Sequence, residues 1–410
     1  MTAANRPASA RGSKGAAAFV LGVGLATAGS SVSLLGATGI TTEAGHLDSG
    51  AIYTGLYIVI GLVAGALTMP YAPRMCRVLG TRAVFTGASF LLSGLWILVA
   101  LLIFLGVPAL PVLLFAAPVG GGVIGLTAVL SPVVYKAYLS SSDMTQVMAR
   151  MTVVKGVAAV VGALAGGVFI SSGTEAFGLI AAGLLRIPLA LFALRIAPAL
   201  SIADPLQAHT PWSDIVTSLK ENPALRRATF LACGVAMFVA PLASFVVPLT
   251  HALRREPLLQ GAGLLMASIA VGELLSPIVV SRFRAKRTPI ASSALASVVT
   301  GGILLALAVA SMTLTNEIEL VVWGMLGIGF GASRFASRAL TFGAAAEAQA
   351  DHDVSKSLAA MLLSACLVAP VGIVAWSVIL RWGSAPAALI FGAVGIGCVG
   401  IAISRPRLTA

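Results

Sequence analysis

The sequence has very little charge for its length. Of its 410 residues only 10% are Asp, Glu, Lys or Arg, whereas soluble domains carry roughly 25%. Aromatic residues are also scarce, at 6%, while 58% of the residues are hydrophobic. A water-soluble fold would have to expose much of this apolar surface, so the composition excludes an ordinary soluble domain. A lipid bilayer removes the difficulty, because lipid solvates an apolar outer surface.

The sequence also has few cysteines, and it lacks the phosphate-binding loop motif of many ATPases. The four cysteines are Cys76, Cys233, Cys366 and Cys398, and no two of them have metal-ligand spacing such as Cys-x-x-Cys. The sequence has no Gly-x-x-x-x-Gly-Lys-[Ser/Thr] loop, which cradles nucleotide phosphates in many ATPases. We therefore expect no disulfide, no metal or other cofactor, and neither enzymatic activity nor ATP hydrolysis by the chain itself.

Long apolar runs make up most of the remaining sequence. A membrane-spanning helix needs about 20 predominantly apolar residues, and twelve runs meet this requirement. They lie near residues 16–41, 51–72, 83–105, 110–135, 153–172, 176–196, 225–249, 259–281, 289–312, 318–342, 356–380 and 385–404. The sequence therefore predicts an all-α membrane protein with twelve transmembrane helices.

The predicted spans divide into two sets of six. We expect two pseudo-symmetric six-helix bundles, because many transporters are built from repeated halves. The predicted organisation is an N-terminal tail (1–15), a first bundle (16–196), a linker with a short amphipathic helix (197–224), a second bundle (225–404) and a C-terminal tail (405–410).

The distribution of basic residues predicts the topology. Most of the 26 Lys and Arg residues fall on the side that carries both termini, and only Arg254, Arg255 and Arg381 fall in the opposite loops. Cytoplasmic loops are enriched in Lys and Arg. We therefore expect a multi-pass protein of the cell (plasma or inner) membrane, with cytoplasmic N and C termini.

Two loops resemble a known motif. The segment 73–82 after the second span is similar to the Gly-x-Leu-x-Asp-Arg-x-Gly-Arg-Arg loop of the major facilitator superfamily, with Gly80 and Arg82 at matching positions. Arg77 replaces the family's Asp, and the repeat of this loop after the eighth span, which includes Arg282, also lacks it. The resemblance covers essentially the whole chain. It implies the major facilitator fold, with these residues in gating loops.

A branch within that family is suggested by two further segments. Gly162, Gly166 and Gly167 in the fifth span resemble the Gly-Pro-x-x-Gly-Gly signature of antiporters, without its Pro. The segment 219–227 and the span after it look like the corresponding region of enterobactin exporters and macrolide-efflux proteins. The resemblance implies export of small amphipathic molecules against a proton gradient. The fourth span lacks the Arg that many family members carry there.

Two ionisable residues lie near the middle of predicted spans. Glu273 of the eighth span is the candidate for proton coupling, because ionisable residues inside the bilayer are costly and mark functional sites by default. The alternative is a structural Glu hydrogen-bonded to a neighbouring helix. Arg186 of the sixth span is interpreted as structural, because in the family this helix supports the bundle from outside the cavity.

Several polar residues are candidates for the wall of a substrate cavity. They are Arg334 in the tenth span, Tyr53 and Tyr57 one turn apart in the second, and Ser30 and Ser31 in the first. Each has a structural alternative: Arg334 can mark the end of its helix, the tyrosines can anchor an interface, and the serines can serve helix packing.

Three functions remain open at this point. The first is a secondary transporter that exports small amphipathic organic molecules, coupled to protons through Glu273. The second is an importer or uniporter of an anionic metabolite held by Arg334. The third is a non-transporting scaffold or sensor on a transporter fold, which the degenerate loop motifs keep open. We expect a monomer whose partners are the lipid bilayer, a small-molecule substrate and protons. Nucleic acid is excluded, because the basic residues form no dense stripe.

Overall fold

Twelve long helices form the protein. The computed structural model describes residues 9–44, 46–139, 144–194, 217, 219–253, 260–284, 288–313, 317–347, 354–382 and 384–404. The long helices are α1 (Ser9–Ala44), α2 (His46–Thr68), α3 (Thr81–Phe104), α4 (Ala109–Leu139), α5 (Met144–Ser171), α6 (Glu175–Ala193), α7 (Pro223–Ser244), α8 (Gln260–Arg284), α9 (Pro289–Thr313), α10 (Glu317–Glu347), α11 (Val354–Trp382) and α12 (Ala385–Ser404).

Each of these helices contains a stretch that is long and apolar enough to cross a membrane, so the prediction of twelve spans is confirmed. The described residues include no β-strand. Helices suit these sequences because every backbone N–H and C=O inside a bilayer must find a partner within the protein. Apolar side chains such as Phe115, which is 82% exposed, cover the outer surface. In a bilayer this surface faces lipid.

Two short helices extend this pattern at the ends of spans. The helix Ala72–Leu79 follows α2 and ends at Gly80, whose φ of 84° favours glycine and turns the chain into α3. The helix Val246–Leu253 continues α7 beyond Ser244. Within α7, residues Val235–Val239 form a π-helical segment. The irregular part of α7 therefore lies in its second half.

Parts of the predicted domain organisation lie outside the described residues. This holds for most of the linker 197–224 with its amphipathic helix, of which 217 and 219–221 are described and helical, and for the C-terminal tail 405–410. Helix α1 begins at Ser9, inside the predicted tail 1–15, although its membrane-spanning stretch begins at Ala17. The domain boundaries stay predictions.

An even number of crossings places both ends of the helical array on one side, here called the terminal side; the opposite side is called the far side. Helices α1–α6 form the N half and α7–α12 the C half. The two halves meet mainly where α2 packs on α11 and α5 packs on α8. The helix Val246–Leu253 of the C half also contacts α1 and α2 at the far side.

The hydrophobic core differs between the two sides. One large buried cluster contains residues of both halves, including Leu35 and Ile170 of the N half with Phe245 and Leu249 of the C half, and these four lie towards the far side. On the terminal side, the cluster around Phe85 lies in the N half and a separate one around Leu225 lies in the C half. The halves are thus joined at the far side.

Candidate functional site

Helices α8 and α10 approach each other backbone to backbone in the C half. A Cβ atom on Gly272 of α8 would collide with the carbonyl oxygen of Ile328 on α10. A Cβ atom on Gly331 of α10 would collide with the carbonyl oxygen of Ile269 on α8. Small residues permit such contacts between membrane helices. These two glycines fix the position of the residues that follow them, Glu273 and Arg334.

Glu273 and Arg334 both lie near the middle of their helices and are partly buried. The Glu273 carboxylate interacts electrostatically with both Arg334 and Arg338, and its interaction with Arg334 is the stronger one. Arg338, one turn further along α10, is exposed, and its guanidinium carbon lies 5.6 Å from the centre of the Phe342 ring. The structure therefore brings the predicted proton-coupling residue together with the predicted substrate-binding arginine. We call Glu273, Arg334 and Arg338 the C-half charge cluster.

The C-half charge cluster lies beside the contact between the halves. Leu274, the residue after Glu273, packs against Gly156 of α5, where an added Cβ would collide with its side chain. Glu273 therefore lies next in sequence to a residue that forms part of the contact between the halves.

A ladder of hydroxyl groups ties α10 to α9. Ser293 Oγ donates to the Ser337 carbonyl oxygen at 2.8 Å, and Ser297 and Ser337 share a hydrogen bond of 2.7 Å between their hydroxyls. Thr300 Oγ1 donates to Ser333 Oγ at 2.9 Å, and Ser293 also pairs with Thr341 at 2.6 Å. All six side chains are buried. With the close contact of α8 and α10, this ladder holds α8, α9 and α10 as one block.

The N half contains a second polar site around Arg186 of α6. One terminal nitrogen of this arginine, Nη2, donates a hydrogen bond of 2.6 Å to Ser30 Oγ on α1. The guanidinium also interacts electrostatically with the Tyr57 hydroxyl on α2. Two predicted cavity residues, Ser30 and Tyr57, are thus gathered by an arginine that the sequence interpretation assigned a structural role.

Arg186 and Ser30 line a cavity of about 170 Å³ inside the N half. Five helices supply its walls: α1, α3, α4, α5 and α6. The lining residues are Val23, Ala26, Thr27, Ser30, Phe85, Ser89, Leu92, Thr127, Ser131, Lys155, Arg186 and Leu189. Seven of these twelve have polar or charged side chains, so the cavity suits a polar occupant.

The remaining predicted cavity residues lie elsewhere. Ser31 does not line this cavity, and its Oγ donates at 3.5 Å to the Thr27 carbonyl oxygen of its own helix. Tyr53 is partly buried one turn from Tyr57, towards the far side. The ring of Tyr57 packs against the buried cluster around Leu92. None of these positions tests the predicted contact with a substrate, which stays a prediction.

The glycines of the predicted helix-five motif all lie at helix contacts. A Cβ on Gly162 would collide with the Ala28 carbonyl oxygen on α1, and one on Gly166 would lie 2.9 Å from Leu35. Gly167 faces the other half, where its Cβ would lie 2.8 Å from the Cα of Gly263 on α8. Helix α5 therefore runs between α1 and α8, and its glycines set both distances.

The predicted gating residues lie at the terminal side. Gly80 caps the helix Ala72–Leu79 with an N–H bond of 2.9 Å to the Cys76 carbonyl oxygen. Arg77 and Arg282 are exposed, and Arg82, near the start of α3, is partly buried. Burial raises the pKa of the Cys76 thiol, so this cysteine stays protonated at neutral pH. A gating role for these loops stays a prediction.

The side chains that the structure gathers are suited to non-covalent binding. They offer guanidinium and ammonium charges, one carboxylate and several hydroxyls. In the described part of the chain, no three His, Cys, Asp or Glu residues lie close enough together to hold a metal ion.

The chain resembles known membrane transporters in its structure. No curated protein sequence matches it significantly. Among solved structures, the chain is similar to the D-xylose-proton symporter, with a TM-score of 0.72, 11% identity, and coverage of 95% of this chain and 96% of the symporter. It is also similar to a mutant of the nucleoside transporter NupG, with a TM-score of 0.71, 13% identity, and coverage of 93% and 98%.

A third similar structure is a bacterial homologue of the iron transporter ferroportin in its inward-facing state, with a TM-score of 0.68, 14% identity, and coverage of 95% and 98%. At such identities these likenesses show the fold alone, which confirms the predicted major facilitator fold. The family model described as Major Facilitator Superfamily matches residues 16–350, well over half of the chain. The chain therefore belongs to the Major Facilitator Superfamily of membrane transporters.

Proposed function

We propose that this transporter exports small amphipathic organic molecules by alternating access of its two halves, coupled to protons through Glu273. The observation that carries the proposal is the C-half charge cluster. A carboxylate near the middle of a membrane helix, with two arginines close enough to interact with it, sits beside the contact between the halves.

Coupling follows from the charge balance of this cluster. While Glu273 is ionised, its negative charge offsets that of Arg334 in a medium of low dielectric constant, where charge interactions are strong. A proton on Glu273 removes that offset and leaves the arginine charge uncompensated. Protonation of Glu273 therefore changes the relative free energies of the conformations of the protein. These conformations differ in how Arg334 lies against the other half or against a substrate. Two titration states and two arrangements are the minimum that coupled transport requires.

Alternating access is supported by the uneven contacts between the halves. Buried side chains join the halves at the far side, and separate clusters lie on the terminal side. With the predicted topology, the terminal side is cytoplasmic and this arrangement faces inward. Two similar structures are those of proton symporters, for D-xylose and for fucose, so proton coupling is compatible with this fold.

The direction of transport rests on the resemblance of helix five and of the region 219–227 to exporters. It is tested with membrane vesicles of both orientations and three labelled probes: the cation tetraphenylphosphonium, the anion hexanesulfonate and a neutral steroid. We expect accumulation of at least one probe in everted vesicles under an imposed proton gradient. Accumulation only in right-side-out vesicles would replace export by import.

The role of Glu273 is tested with Glu273→Gln, which keeps the shape of the side chain and removes its titration. We expect loss of gradient-driven accumulation, while exchange of labelled for unlabelled probe continues, because exchange needs no net proton movement. Glu43→Gln, at the exposed far end of α1, is the matched control and should accumulate probe normally. Full accumulation by Glu273→Gln would remove Glu273 from the coupling mechanism.

A second candidate function is import or uniport of an anionic metabolite held by Arg334. The observation that favours it is the excess of positive charge among the described residues. Lys155, Arg186, Arg334 and Arg338 line or flank the two polar sites, and the described carboxylate there is that of Glu273. Loss of selectivity for anions in Arg334→Ala, with equilibration but no accumulation in the wild-type protein, would favour this function over export.

A further inference from the structure

The cavity inside the N half is unlike the C-half charge cluster in its charge. Its lining contains two cationic side chains, Lys155 and Arg186, and no carboxylate is among its described lining residues. In the bilayer interior a cation is retained when it has a partner or a function. The positive charge of Arg186 at the wall of this cavity favours an anion as its occupant.

Arg186 has unused hydrogen-bonding capacity at this cavity. Its Nη2 donates a hydrogen bond to Ser30 Oγ. Its Nε is buried and has no hydrogen-bond partner among the described residues. A buried donor without an acceptor is costly, and the guanidinium fork matches the two oxygens of an oxyanion. An oxyanion in the cavity would supply the acceptor that Nε lacks.

The hydroxyl groups of the cavity can adapt to such an occupant. In the structure, Thr27 Oγ1 donates to the Val23 carbonyl oxygen at 2.8 Å, Ser89 Oγ to that of Phe85 at 2.8 Å, and Ser131 Oγ to that of Thr127 at 2.6 Å. Each hydroxyl has a single proton that rotates about its C–O bond. It can therefore turn from its own helix to an anion in the cavity.

The size of the cavity limits what it holds. Drug-sized ligands occupy pockets of about 300–1,000 Å³, whereas this cavity measures about 170 Å³. At about 30 Å³ for a water molecule, there is room for a head group of roughly half a dozen non-hydrogen atoms. The apolar part of an amphipathic molecule would have to lie outside. Two walls, α1 and α5, also contact the C half, so the occupant is held by helices that take part in the contact between the halves.

We propose that the cavity inside the N half binds the oxyanion head group of an amphipathic substrate, with Arg186 as the principal donor and Lys155 as the second positive charge. The proposal rests on the proposed transport function for its substrate and narrows that substrate to amphipathic anions. It also replaces the structural interpretation of Arg186 with a binding role.

The test uses probes that share one six-carbon chain and differ in the head group: hexanesulfonate, hexyl phosphate, hexylammonium and hexanol. Binding to the purified full-length protein in lipid nanodiscs is measured by the shift in melting temperature as a function of probe concentration. We expect the two anions to stabilise the protein and the other two probes to have no effect. Equal stabilisation by hexanol, or none by either anion, overturns the proposal.

Variants separate binding from structure. Arg186→Gln should weaken anion binding by roughly tenfold or more, because it removes both the charge and the fork. Arg186→Lys should restore part of the affinity, since it keeps the charge. Lys155→Gln tests the second charge. It replaces the Arg186 variants as the test of the site if those variants do not fold. The control is Arg381→Gln at the exposed far end of α11. Unchanged anion binding in both Arg186→Gln and Lys155→Gln refutes the proposal.

The outcome is separable from that of the proposed transport function. Binding is measured without a membrane gradient, so its outcome does not depend on coupling to protons. Binding that depends on Arg186 in a protein that accumulates no probe would leave the anion site standing and refute coupled export. Gradient-driven accumulation of the cation or the steroid, without any anion binding, would leave export standing and refute the anion site.

Discussion

The contact between Gly167 on α5 and Gly263 on α8 gives the most direct test of how the halves are joined. A Cβ added at Gly263 would lie 2.7 Å from the Gly167 Cα and 2.9 Å from the Ala163 carbonyl oxygen. Both are backbone atoms, so no side-chain rotation can move them out of the way. Reaching an ordinary contact of 3.4 Å requires the helices to separate by roughly 0.7 Å. Gly263→Ala should therefore open the far side.

The magnitude follows from the cost of overpacking, typically about 1–3 kcal/mol. This cost falls on the arrangement closed at the far side and is relieved when the halves separate there. The equilibrium should shift towards far-side opening by about 5–150-fold. The matched control is Gly261→Ala in the same turn of α8, where an added Cβ would meet the Leu320 side chain at an unstrained 3.5 Å.

The assay is the labelling rate of a reporter cysteine at Leu249, which is fully buried at the far side. The four native cysteines are replaced by alanine, Leu249→Cys is added, and purified protein in nanodiscs is treated with a membrane-impermeant maleimide. We expect faster labelling with Gly263→Ala than with Gly261→Ala, at a temperature where both remain folded by thermal melt. Equal rates in the two variants would show that the glycine contact does not govern closure of the far side.

Three further variants test local features through the melting temperature of the purified protein. Gly80→Ala should cost about 1–3 kcal/mol, because its φ of 84° is strained for any side chain; Gly87→Ala in α3 has open space around it and should not, so equal losses would contradict the turn. Asn222→Ala should cost about 1 kcal/mol, since Oδ1 accepts from two N–H groups at the start of α7; an unchanged melt would remove this cap. Ser297→Ala should cost roughly 0.6 kcal/mol by breaking the hydroxyl ladder, whereas exposed Ser281→Ala should cost nothing, and the reverse order would exclude a stabilising role for the ladder.

The spans and the fold could be predicted from the sequence because they depend on local composition. A run of about 20 apolar residues has few alternatives to a membrane helix, whatever its neighbours are. The same reasoning placed Glu273 and Arg186 near the middle of their spans, since depth depends on position within the run. Positive loops indicated which ends of the helices share a side.

The partners of these residues could not be predicted in the same way. Which face of a helix points to lipid, to a neighbour or to a cavity depends on its rotation, and that is set by packing against distant segments. Arg186 has the same sequence signature whether it supports the bundle or lines a cavity. The hydroxyl ladder between α9 and α10 leaves only scattered Ser and Thr residues in two separate spans. Its one available signal is their spacing of three or four residues in both helices.

The contact of Gly167 with Gly263 also has a mechanical consequence. At this point the two helices touch through bare backbone with no side chain between them, so one helix can tilt on the other about this contact. About 30 Å of helix lies between Gly263 and the end of α8 at Arg284, at 1.5 Å per residue. Over that lever arm, a tilt of about 10° moves the terminal end of α8 by roughly 5 Å. A small tilt about the glycine contact is thus enough to widen or narrow the opening at the other side of the membrane, while the two glycines stay in contact.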